Sequence, residues 1–343
     1  MRRAWLRRAG TEDGDPIDKF WEWWVAAGQP AAEAGIDAGD FRSFPGEMTT
    51  RVEAIHRDLA WELAPGRRAD HALIVTAAGV PDIRRRAEQW YQRSPSASTA
   101  WEYHPARQAD PAALANTLEF AGHRLSLSEL LFELHVEDER RVIDTAVFHP
   151  AFAKMQPDQR GQVGFLALDW ALGEDGVTRW IGDLQTSITR PAAGLSVDGL
   201  IETVEALASR ASESSWALLG GERDGAVAMA SLALPAKWID HPLMDQHFAV
   251  ALPYVDQTSE GLPAPASLDQ LRELEDKLTQ LLPPHARFVA HETTQGVRTL
   301  HVYADSDDRA LEELVRNAVA AWPGAKVDAS LDAGWHAIRH LTG

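Results

Sequence analysis

Hydrophobic residues follow helical and strand periods along most of the 343-residue chain. Apolar positions three and four residues apart predict amphipathic helices, and alternating positions predict strands that are buried on one face. Between residues 45 and 104 the pattern predicts helix, strand, strand, helix, strand. From residue 248 onward it predicts strand, helix, strand, strand, helix, strand. Helices and strands mixed in this way indicate the α+β class.

The second of these orders is typical of a ferredoxin-like module (βαββαβ), in which two helices cover one face of an antiparallel sheet. The order at residues 45–104 repeats part of it, so we predict a related antiparallel sheet with helices on one face in the N-terminal half. In both halves a tryptophan, Trp90 or Trp322, lies near the end of the second helix. Duplication of one ancestral module is an open question.

One stretch in the middle of the chain, GFLALDWALGEDGVTRWIGDLQ at residues 164–185, separates the two patterns. Its apolar spacing predicts a helix that Gly173 interrupts, followed by a second helix that starts with two acids. Another amphipathic helix is predicted at residues 197–211. The polar run ASESS at residues 211–215 follows it and is typical of a linker.

These patterns divide the chain into four parts, and the length suits two domains. Hydrophobic residues make up 45% and charged residues 24% of the chain, as in ordinary folded proteins. We predict a flexible arm at residues 1–14, an N-terminal α+β module at 15–195, a connecting helix at 196–211 and a C-terminal ferredoxin-like module at 212–343.

Composition and motifs exclude several kinds of chemistry. The chain has no cysteine, which excludes disulfides, thiolate nucleophiles and cysteine-ligated zinc. It also has no glycine-rich phosphate loop, no GxSxG elbow, no HExxH and no aspartate-rich calcium loop. We therefore predict no catalytic residue, no cofactor and no metal, and favour a protein that is not an enzyme.

The balance of charge bears on the partners of the protein. Its formal net charge is -18, whereas nucleic-acid binders neutralise phosphates with Lys and Arg. We therefore expect a protein partner of basic charge and no direct binding to nucleic acid, although the acidity is also explained by solubility. The chain has no apolar run of signal-peptide or bilayer-spanning length. We expect a cytoplasmic protein that does not associate with a membrane. The sequence is compatible with a monomer and with a homo-oligomer.

Histidines supply the first candidates for a binding site. His135 and His149 lie on or beside a predicted hairpin that also carries Asp144, and imidazole with carboxylate can bind a divalent metal. His291 and His301 lie on two paired strands, where counting from the turn makes them cross-strand neighbours. Alternation puts His301 on the sheet face opposite Leu300. The competing interpretation of both pairs is a solvated or structural polar face.

Acids and tryptophans complete the candidates for ligand or partner binding. Asp169, Glu174 and Asp175 can form a paired-carboxylate acid/base site, whereas the last two are also explained by the dipole at a helix start. Trp23 lies off the apolar stripe of the first helix, which we expect to end at Gly28 before a loop at residues 29–43.

Trp335, near the end of the sequence, belongs to a set of residues that resembles a bacterial family known as domain of unknown function 695. The resemblance rests on four features, which are Trp216 with the Gly225 turn, GLPAPASLDQLRELEDKL from Gly261, the hairpin TTQGVRTLHVYA, and Asp332 with Trp335. The N-terminal half, with FWEWW and LGEDGVTRWIG, is similar to the region that accompanies this domain in longer bacterial members. The resemblance supplies no catalytic residue.

The C-terminal module is also similar in pattern to the bacterial protein inhibitors of ribonuclease E, which are small, acidic, ferredoxin-like regulators. The present chain is longer and carries a second module, so the ribonuclease partner does not carry over. Two functional hypotheses follow. The first is a non-catalytic protein-binding or regulatory protein. The alternative is an enzyme or small-ligand-binding protein with a cleft, lined by Trp and His, between the two modules.

Overall fold

The structure, a computed structural model, describes residues 14–211 and 215–342. Most of the predicted arm and the centre of the predicted linker lie outside these residues. By internal contacts the chain forms two compact units, Met1–Ala106 and Arg107–Gly343. The predicted division at residues 195–212 falls inside the second unit and stays a prediction. Both units contain helices and sheets, which confirms the α+β class.

The first unit contains four α-helices and three strands. The helices are α1 Pro16–Trp23, α2 Gln29–Ala38, α3 Phe44–Ile55 and α4 Pro81–Gln92, and the strands are β1 Ala60–Pro65, β2 His71–Thr76 and β3 Trp101–His104. Asp15 starts α1, because its carboxylate accepts a hydrogen bond from the Ile17 amide at 2.9 Å.

The expectation that Gly28 ends the first helix and that a loop follows is wrong. A π-helical turn at Trp24–Gly28 joins α1 to α2, which continues to Ala38. Alanines favour helix in this segment, and Gly39 ends it in the left-handed conformation with φ of 63°. Gly28 is required for packing instead, since a Cβ there would lie 2.8 Å from the Trp23 ring.

The sheet of the first unit is mixed, whereas the sequence analysis predicts an antiparallel one. β1 pairs with β2 in antiparallel fashion, and β2 pairs with β3 in parallel. The physical reason is the crossover through α4, which returns the chain in the same direction. In a βαββαβ module the first strand separates the third from the fourth. The described part of this unit, from residue 14 onward, has no such first strand, and its last two strands are parallel neighbours.

Aromatic side chains form the core of the first unit. The Trp21 and Trp90 rings stack at 4.6 Å, and the Trp21 indole donates a hydrogen bond to the Trp90 carbonyl at 2.9 Å. The Trp24 indole donates to the Tyr103 hydroxyl at 3.2 Å. Trp21 and Trp24 bury apolar area while keeping their N–H groups paired, whereas the buried Trp90 indole nitrogen has no hydrogen-bond partner among the described residues.

The second unit begins with two small sheets and three helices. The elements are β4 Thr117–Phe120, β5 His123–Ser126, β6 Leu131–Glu137, β7 Val142–Phe148, α5 Pro157–Leu172, α6 Glu174–Trp180, β8 Ile181–Ser187 and α7 Val197–Ala211. β4 and β5 form a hairpin, and the second sheet has the order β6-β7-β8. The hairpin predicted around the charged run at residues 137–140 is confirmed as β6 and β7, while β8 returns through α5 and α6 to pair in parallel with β7.

The rest of the second unit is built on a six-stranded sheet. Its elements are β9 Ser215–Arg223, β10 Ala226–Leu234, β11 Gln246–Pro253, α8 Pro265–Leu281, β12 Ala286–Thr294, β13 Val297–Ala304, α9 Ala310–Val319, β14 Lys326–Leu331 and α10 Arg339–Thr342. The strand order is β14-β11-β13-β12-β10-β9, and every neighbouring pair is antiparallel. The first four strands have the ferredoxin-like order, which confirms the predicted module.

The two faces of this sheet have different cores. One face packs on α8 and α9 through Val250, Leu300 and Val302. On the other face Tyr303 and Val289 pack with Trp335 and Ile338. The segment after β14 therefore covers a face that has no helices of the βαββαβ module. No helix in the described ranges is both long and apolar enough to cross a bilayer.

Candidate functional site

The interrupted helix in the middle of the chain brings two acids to one arginine. The Arg107 guanidinium lies 3.2 Å from the Asp169 carboxylate and 3.8 Å from that of Glu174. Both carboxylates are buried. The break makes this possible, because Gly173 adopts φ of 73° and ψ of 162° and its backbone passes against the segment at residues 107–109. Glu174 and Asp175 also lie in the first turn of α6, as the dipole interpretation expects.

Burial dominates the electrostatics of this triad. It raises the pKa of Asp169, because a desolvated carboxyl group resists ionisation; Arg107 opposes the shift and Glu174 adds to it. The Oδ1 atom of Asp169 is buried and has no hydrogen-bond partner within the described ranges. The acids do converge, as one interpretation of the sequence requires, and an arginine that the sequence analysis did not consider lies between them.

The histidines of the β6–β7 hairpin do not converge. His135 is exposed and lies 2.8 Å from the Glu137 carboxylate. His149 is buried, and its Nδ1 accepts a hydrogen bond from the Ala151 amide at 3.1 Å. Its Nε2 therefore carries the proton and donates to the Ser126 carbonyl at 3.0 Å. His149 caps the turn that follows β7. Asp144 accepts a hydrogen bond from the Asp183 amide at 2.8 Å.

His291 and His301 lie on opposite faces of the large sheet. Alternation predicts the face of His301 correctly, but His291 pairs with Leu300, and His301 pairs with Ala290. The two-residue turn at Gln295 and Gly296 sets this register, because it places Thr294 opposite Val297 and therefore His291 opposite Leu300. Alternation then puts the two histidines on opposite faces. His291 thereby comes within 3.2 Å of the Glu275 carboxylate on α8.

A buried polar network crosses the sheet face that has no βαββαβ helices. His247 and His301 share a hydrogen bond of 3.0 Å, and His301 Nε2 lies 3.0 Å from Glu292 Oε1. The other oxygen of Glu292 lies 3.0 Å from His340 and 2.9 Å from Arg223. Burial lowers the pKa of His247 to about 4. The pKa of Glu292 falls to about 2 against a desolvation effect, because His301 and His340 hydrogen-bond to its anion.

Trp335 is buried and anchors the segment after β14. Its ring stacks on Tyr303 at 4.4 Å, and its indole donates a hydrogen bond to the Met244 carbonyl at 2.9 Å. Asp332 accepts hydrogen bonds from the Tyr303 hydroxyl at 2.7 Å and from the His336 and Ala337 amides at 2.8 and 2.9 Å. We call residues 332–342 the C-terminal latch.

Trp23 is half-buried in the first unit. Its ring packs near Phe20 and Phe44 with ring centroids 5.8 and 6.4 Å away, and the Arg51 guanidinium lies 4.4 Å above it. Arg51 thereby covers part of the indole, and Gly28 approaches the ring closely as well. Trp23 therefore does not present an open aromatic surface for ligand binding.

A cavity of about 810 Å³ lies within the second unit. Five segments line it, and they come from the β6–β7 turn, the end of α6, β9, the end of β10 with the loop after it, and the C-terminal latch. Their lining residues are 138–142, 178, 181–182, 217–219, 232, 234–239 and 340–342. Its walls are mainly apolar, and Arg140, Arg141 and Lys237 contribute positive charge.

Lys237 is the most perturbed group of this cavity. Its Nζ donates hydrogen bonds to the carbonyls of Arg179 and Arg141, and it lies 5.6 Å from the centre of the Trp180 ring. Burial lowers the pKa of Lys237 to about 8, against the attraction of Asp240. The positive charges of the surrounding arginines shift it in the same direction as burial.

None of the predicted site residues lines this cavity. The residues that do, Arg140, Arg141, Lys237 and Trp238, attracted no attention in the sequence, because the first two were interpreted only as turn residues. A usable signal was the scarcity of lysine, since Lys237 is one of five lysines in the chain. No group of three or more His, Asp or Glu side chains suited to a metal ion occurs in the parts of the chain that the structure describes.

Comparison with known proteins bears on the second unit alone. Residues 215–339, which are less than half of the chain, match a family described as "Family of unknown function (DUF695)". No curated protein and no solved structure matches the chain. The matched region contains the whole six-stranded sheet and Trp335, so the C-terminal half is similar to this family and its description assigns no activity.

Proposed function

We propose that this protein binds a small organic anion with an apolar body in the cavity of the second unit. The observation that carries the proposal is a cavity whose lining joins apolar side chains to the cations Arg140, Arg141 and Lys237, with the acids Asp138 and Glu139 beside them. Its volume of about 810 Å³ lies within the range of about 300–1,000 Å³ that is typical of small-molecule sites. A partly open apolar surface of this kind is available for burial of a ligand's hydrocarbon.

The apolar wall comes from four separate parts of the second unit. Ile181 lies at the start of β8, Leu218 on β9, Leu234 at the end of β10 and Leu341 in the C-terminal latch. Trp238 adds an aromatic ring to the wall. A ligand that reaches all of these side chains needs an aliphatic or aromatic body rather than a polar one.

The cationic side of the cavity selects the charge of the ligand. Arg140 Nε is buried and has no hydrogen-bond partner within the described chain, and its guanidinium lies 3.8 Å from Asp144. A buried donor without an acceptor costs free energy, and a ligand carboxylate supplies that acceptor. Asp138, which also lines the cavity, is paired with Arg210 at 3.1 Å.

Octanoate and octanol test this proposal, since they share an apolar chain and differ in charge. A bound ligand raises the melting temperature by mass action, so we expect octanoate to raise it well above the effect of octanol at equal concentration. Arg140→Gln should weaken octanoate binding by about tenfold, the loss of one charge-assisted hydrogen bond of about 1.4 kcal/mol.

Arg124→Gln is the matched control. It removes one positive charge from an exposed position on β5, so octanoate affinity measured by titration calorimetry should not change. Ala236→Trp should abolish binding by filling the cavity. Equal responses to octanoate and octanol, or equal affinities in Arg140→Gln and the wild type, would overturn the proposal.

A protein-binding function is the second candidate, and the open edge of the large sheet favours it. β9 is an edge strand, with Trp216 at 53% and Leu218 at 73% exposure. Exposed apolar edge strands are templates for added strands. The net charge of -18 suits a basic partner. Pattern similarity to the ribonuclease E inhibitors belongs to this candidate as well.

Capture from lysate tests this second candidate with a matched variant. A partner should be retained by the wild type at low salt and lost at about 0.5 M salt, where exposed charge pairs are screened. Trp216→Ser with Leu218→Ser should not retain it. Retention by the variant would remove the edge strand from consideration.

A further inference from the structure

The amine of Lys237 is held in a geometry that suits a nucleophile. Its Nζ donates hydrogen bonds to the Arg141 carbonyl at 2.9 Å and to the Arg179 carbonyl. A neutral amine has two N–H bonds and one lone pair. With both N–H bonds directed at carbonyl oxygens, the lone pair of the neutral amine is left clear of these acceptors. Lys237 is also one of the residues that line the cavity.

The surroundings favour the neutral form of this amine. Burial lowers the pKa of Lys237 to about 8, and Asp240, the acid that opposes the shift, forms an ion pair with Arg179. At neutral pH about a tenth of such a side chain is unprotonated, which is some hundreds of times the fraction in an ordinary lysine. Desolvated lysines near other cations are the ones that form imines with carbonyl compounds.

We propose that Lys237 forms an imine with an anionic 2-oxo acid or aldehyde acid whose apolar side chain fills the cavity. The proposal rests on the proposed function and names its ligand class. Arg140, with its unpartnered Nε, is placed on the same wall to hold the carboxylate. A 2-oxo acid combines the three features that the cavity accommodates, a carboxylate, a carbonyl next to it and a hydrocarbon body.

The chemistry balances without an oxidant or a reductant. The Nζ lone pair attacks the carbonyl carbon, a C–N bond forms, and the electron pair of the C=O bond moves to oxygen, which takes up a proton. Nitrogen loses a proton, and the hydroxyl group takes up another proton and leaves as water while the C=N bond forms. The sum is amine plus carbonyl plus one proton to protonated imine plus water. The protonated imine keeps one N–H, so one of the two carbonyl hydrogen bonds remains.

A purely structural role predicts different behaviour for the same residue. Arg179 lies in the last turn of α6, and a lysine ammonium near the last carbonyls of a helix stabilises the helix dipole. In that case the amine stays protonated and reacts no faster than an exposed lysine. Reactivity of the amine therefore distinguishes the two roles.

Trapping with glyoxylate, resolved for each lysine, distinguishes an imine-forming Lys237 from a purely structural one. Cyanoborohydride reduces any imine to a stable carboxymethyl amine, and peptide mass spectrometry of the full chain reads each lysine separately. Four exposed lysines, Lys19, Lys154, Lys277 and Lys326, serve as internal references. Formaldehyde is the uncharged reference aldehyde. For each lysine, the rate of labelling by glyoxylate is divided by the rate of labelling by formaldehyde. We expect this ratio to be at least about tenfold higher at Lys237 than at the four exposed lysines.

Two variants and one competitor keep the outcomes separate. Arg140→Gln should slow glyoxylate labelling of Lys237, because it removes the cation proposed to hold the carboxylate, whereas Arg124→Gln on the exposed part of β5 should leave that labelling unchanged. Octanoate should slow labelling of Lys237 and leave the exposed lysines unaffected. If octanoate binds in an Arg140-dependent way but Lys237 is labelled no faster than the exposed lysines, the imine proposal fails and the binding function stands. If octanoate does not bind, both the proposed function and the imine proposal fail.

Discussion

Arg107 and Glu174 bind each other through both backbone and side chain. The Glu174 amide donates a hydrogen bond to the Arg107 carbonyl at 3.0 Å, and the Arg107 amide lies 3.4 Å from the Glu174 carboxylate. Their side chains lie 3.8 Å apart. This pairing fixes the start of the second unit against the break between α5 and α6, and it brings the guanidinium to Asp169.

Replacing the guanidinium should therefore destabilise the protein. Arg107→Met leaves two buried carboxylates without their cation, and breaking a buried ion pair typically costs about 3–5 kcal/mol. Since a third of the Arg107 side chain is exposed, we expect a decrease of about 2 kcal/mol in the free energy of unfolding, measured by urea denaturation. Arg124→Met should change it by less than about 0.5 kcal/mol. Equal effects of the two substitutions would contradict the role of the triad.

Asp169 should make a pH-dependent contribution of unusual sign. Because its pKa is raised in the folded state, the folded protein binds the proton more tightly than the unfolded chain. Its contribution to stability therefore falls as the pH rises from the ordinary value of 3.8 toward the raised one. Asp169→Asn removes this term. The free energy of unfolding of the wild type minus that of the variant should fall over this range, and a rise would contradict it.

Gly173→Ala should be far more damaging than the same change at Gly161. At Gly173 the φ of 73° and ψ of 162° exclude other residues, and a Cβ would lie 2.8 Å from the Ala109 nitrogen. Strain and clash together should cost about 3 kcal/mol. Gly161 is inside α5 with open space around it. Alanine there should stabilise by about 0.5–1 kcal/mol. Thermal unfolding of both variants measures the contrast.

Protonation of His247 should oppose folding in acid. Its pKa is lowered from 6.5 to about 4 by burial, so the unfolded chain binds this proton first as the pH falls. The folded state should lose up to about 3 kcal/mol between pH 6.5 and 4 from this group. NMR titration should show the His247 ring still neutral at about pH 5. A histidine in a short unstructured peptide gives the reference titration curve, and coincident curves would contradict the prediction.

Asp332 should control both the C-terminal latch and the cavity. Asp332→Ala removes the acceptor of the Tyr303 hydroxyl and of two amides, which should cost about 2–4 kcal/mol. Hydrogen exchange at the amides of residues 335–338 should become faster. Because residues 340–342 line the cavity, octanoate binding should weaken as well. Tyr303→Phe, which removes only one of these donors, should cost about 1 kcal/mol.

The fold was predictable from sequence where local periodicity determines it. The helices and strands from residue 248 onward have clear apolar stripes, and their order implies the ferredoxin-like sheet. The pairing of β2 with β3 was not predictable in this way, because the described residues of the first unit do not include the strand that separates these two positions in a βαββαβ module. Alternation likewise predicted the face of His301, whereas a cross-strand pair of His291 and His301 needs a register one residue away from the one that the turn sets, and His291 therefore lies on the other face.

The cavity was beyond sequence analysis for a different reason. Its lining comes from five segments separated by up to 200 residues, and no local pattern places Arg140 beside Lys237. The convergence of Asp169 and Glu174 belonged to one of two interpretations left open, and Arg107, which lies 62 residues from Asp169 in sequence, had no part in either of them. Contacts between polar side chains that are far apart in sequence cannot be predicted from the hydrophobic periodicity of a single sequence.

The position of β11 inside the large sheet has a consequence during synthesis on the ribosome. One edge of β11 pairs with β13, and the other pairs with β14, where Gln246 lies opposite Leu331. About 80 residues must be translated after β11 before that second edge is covered, which takes several seconds at about 5–20 residues per second. Until then β11 offers an unpaired strand edge, so nascent chains stalled before residue 326 should be the ones that need chaperones.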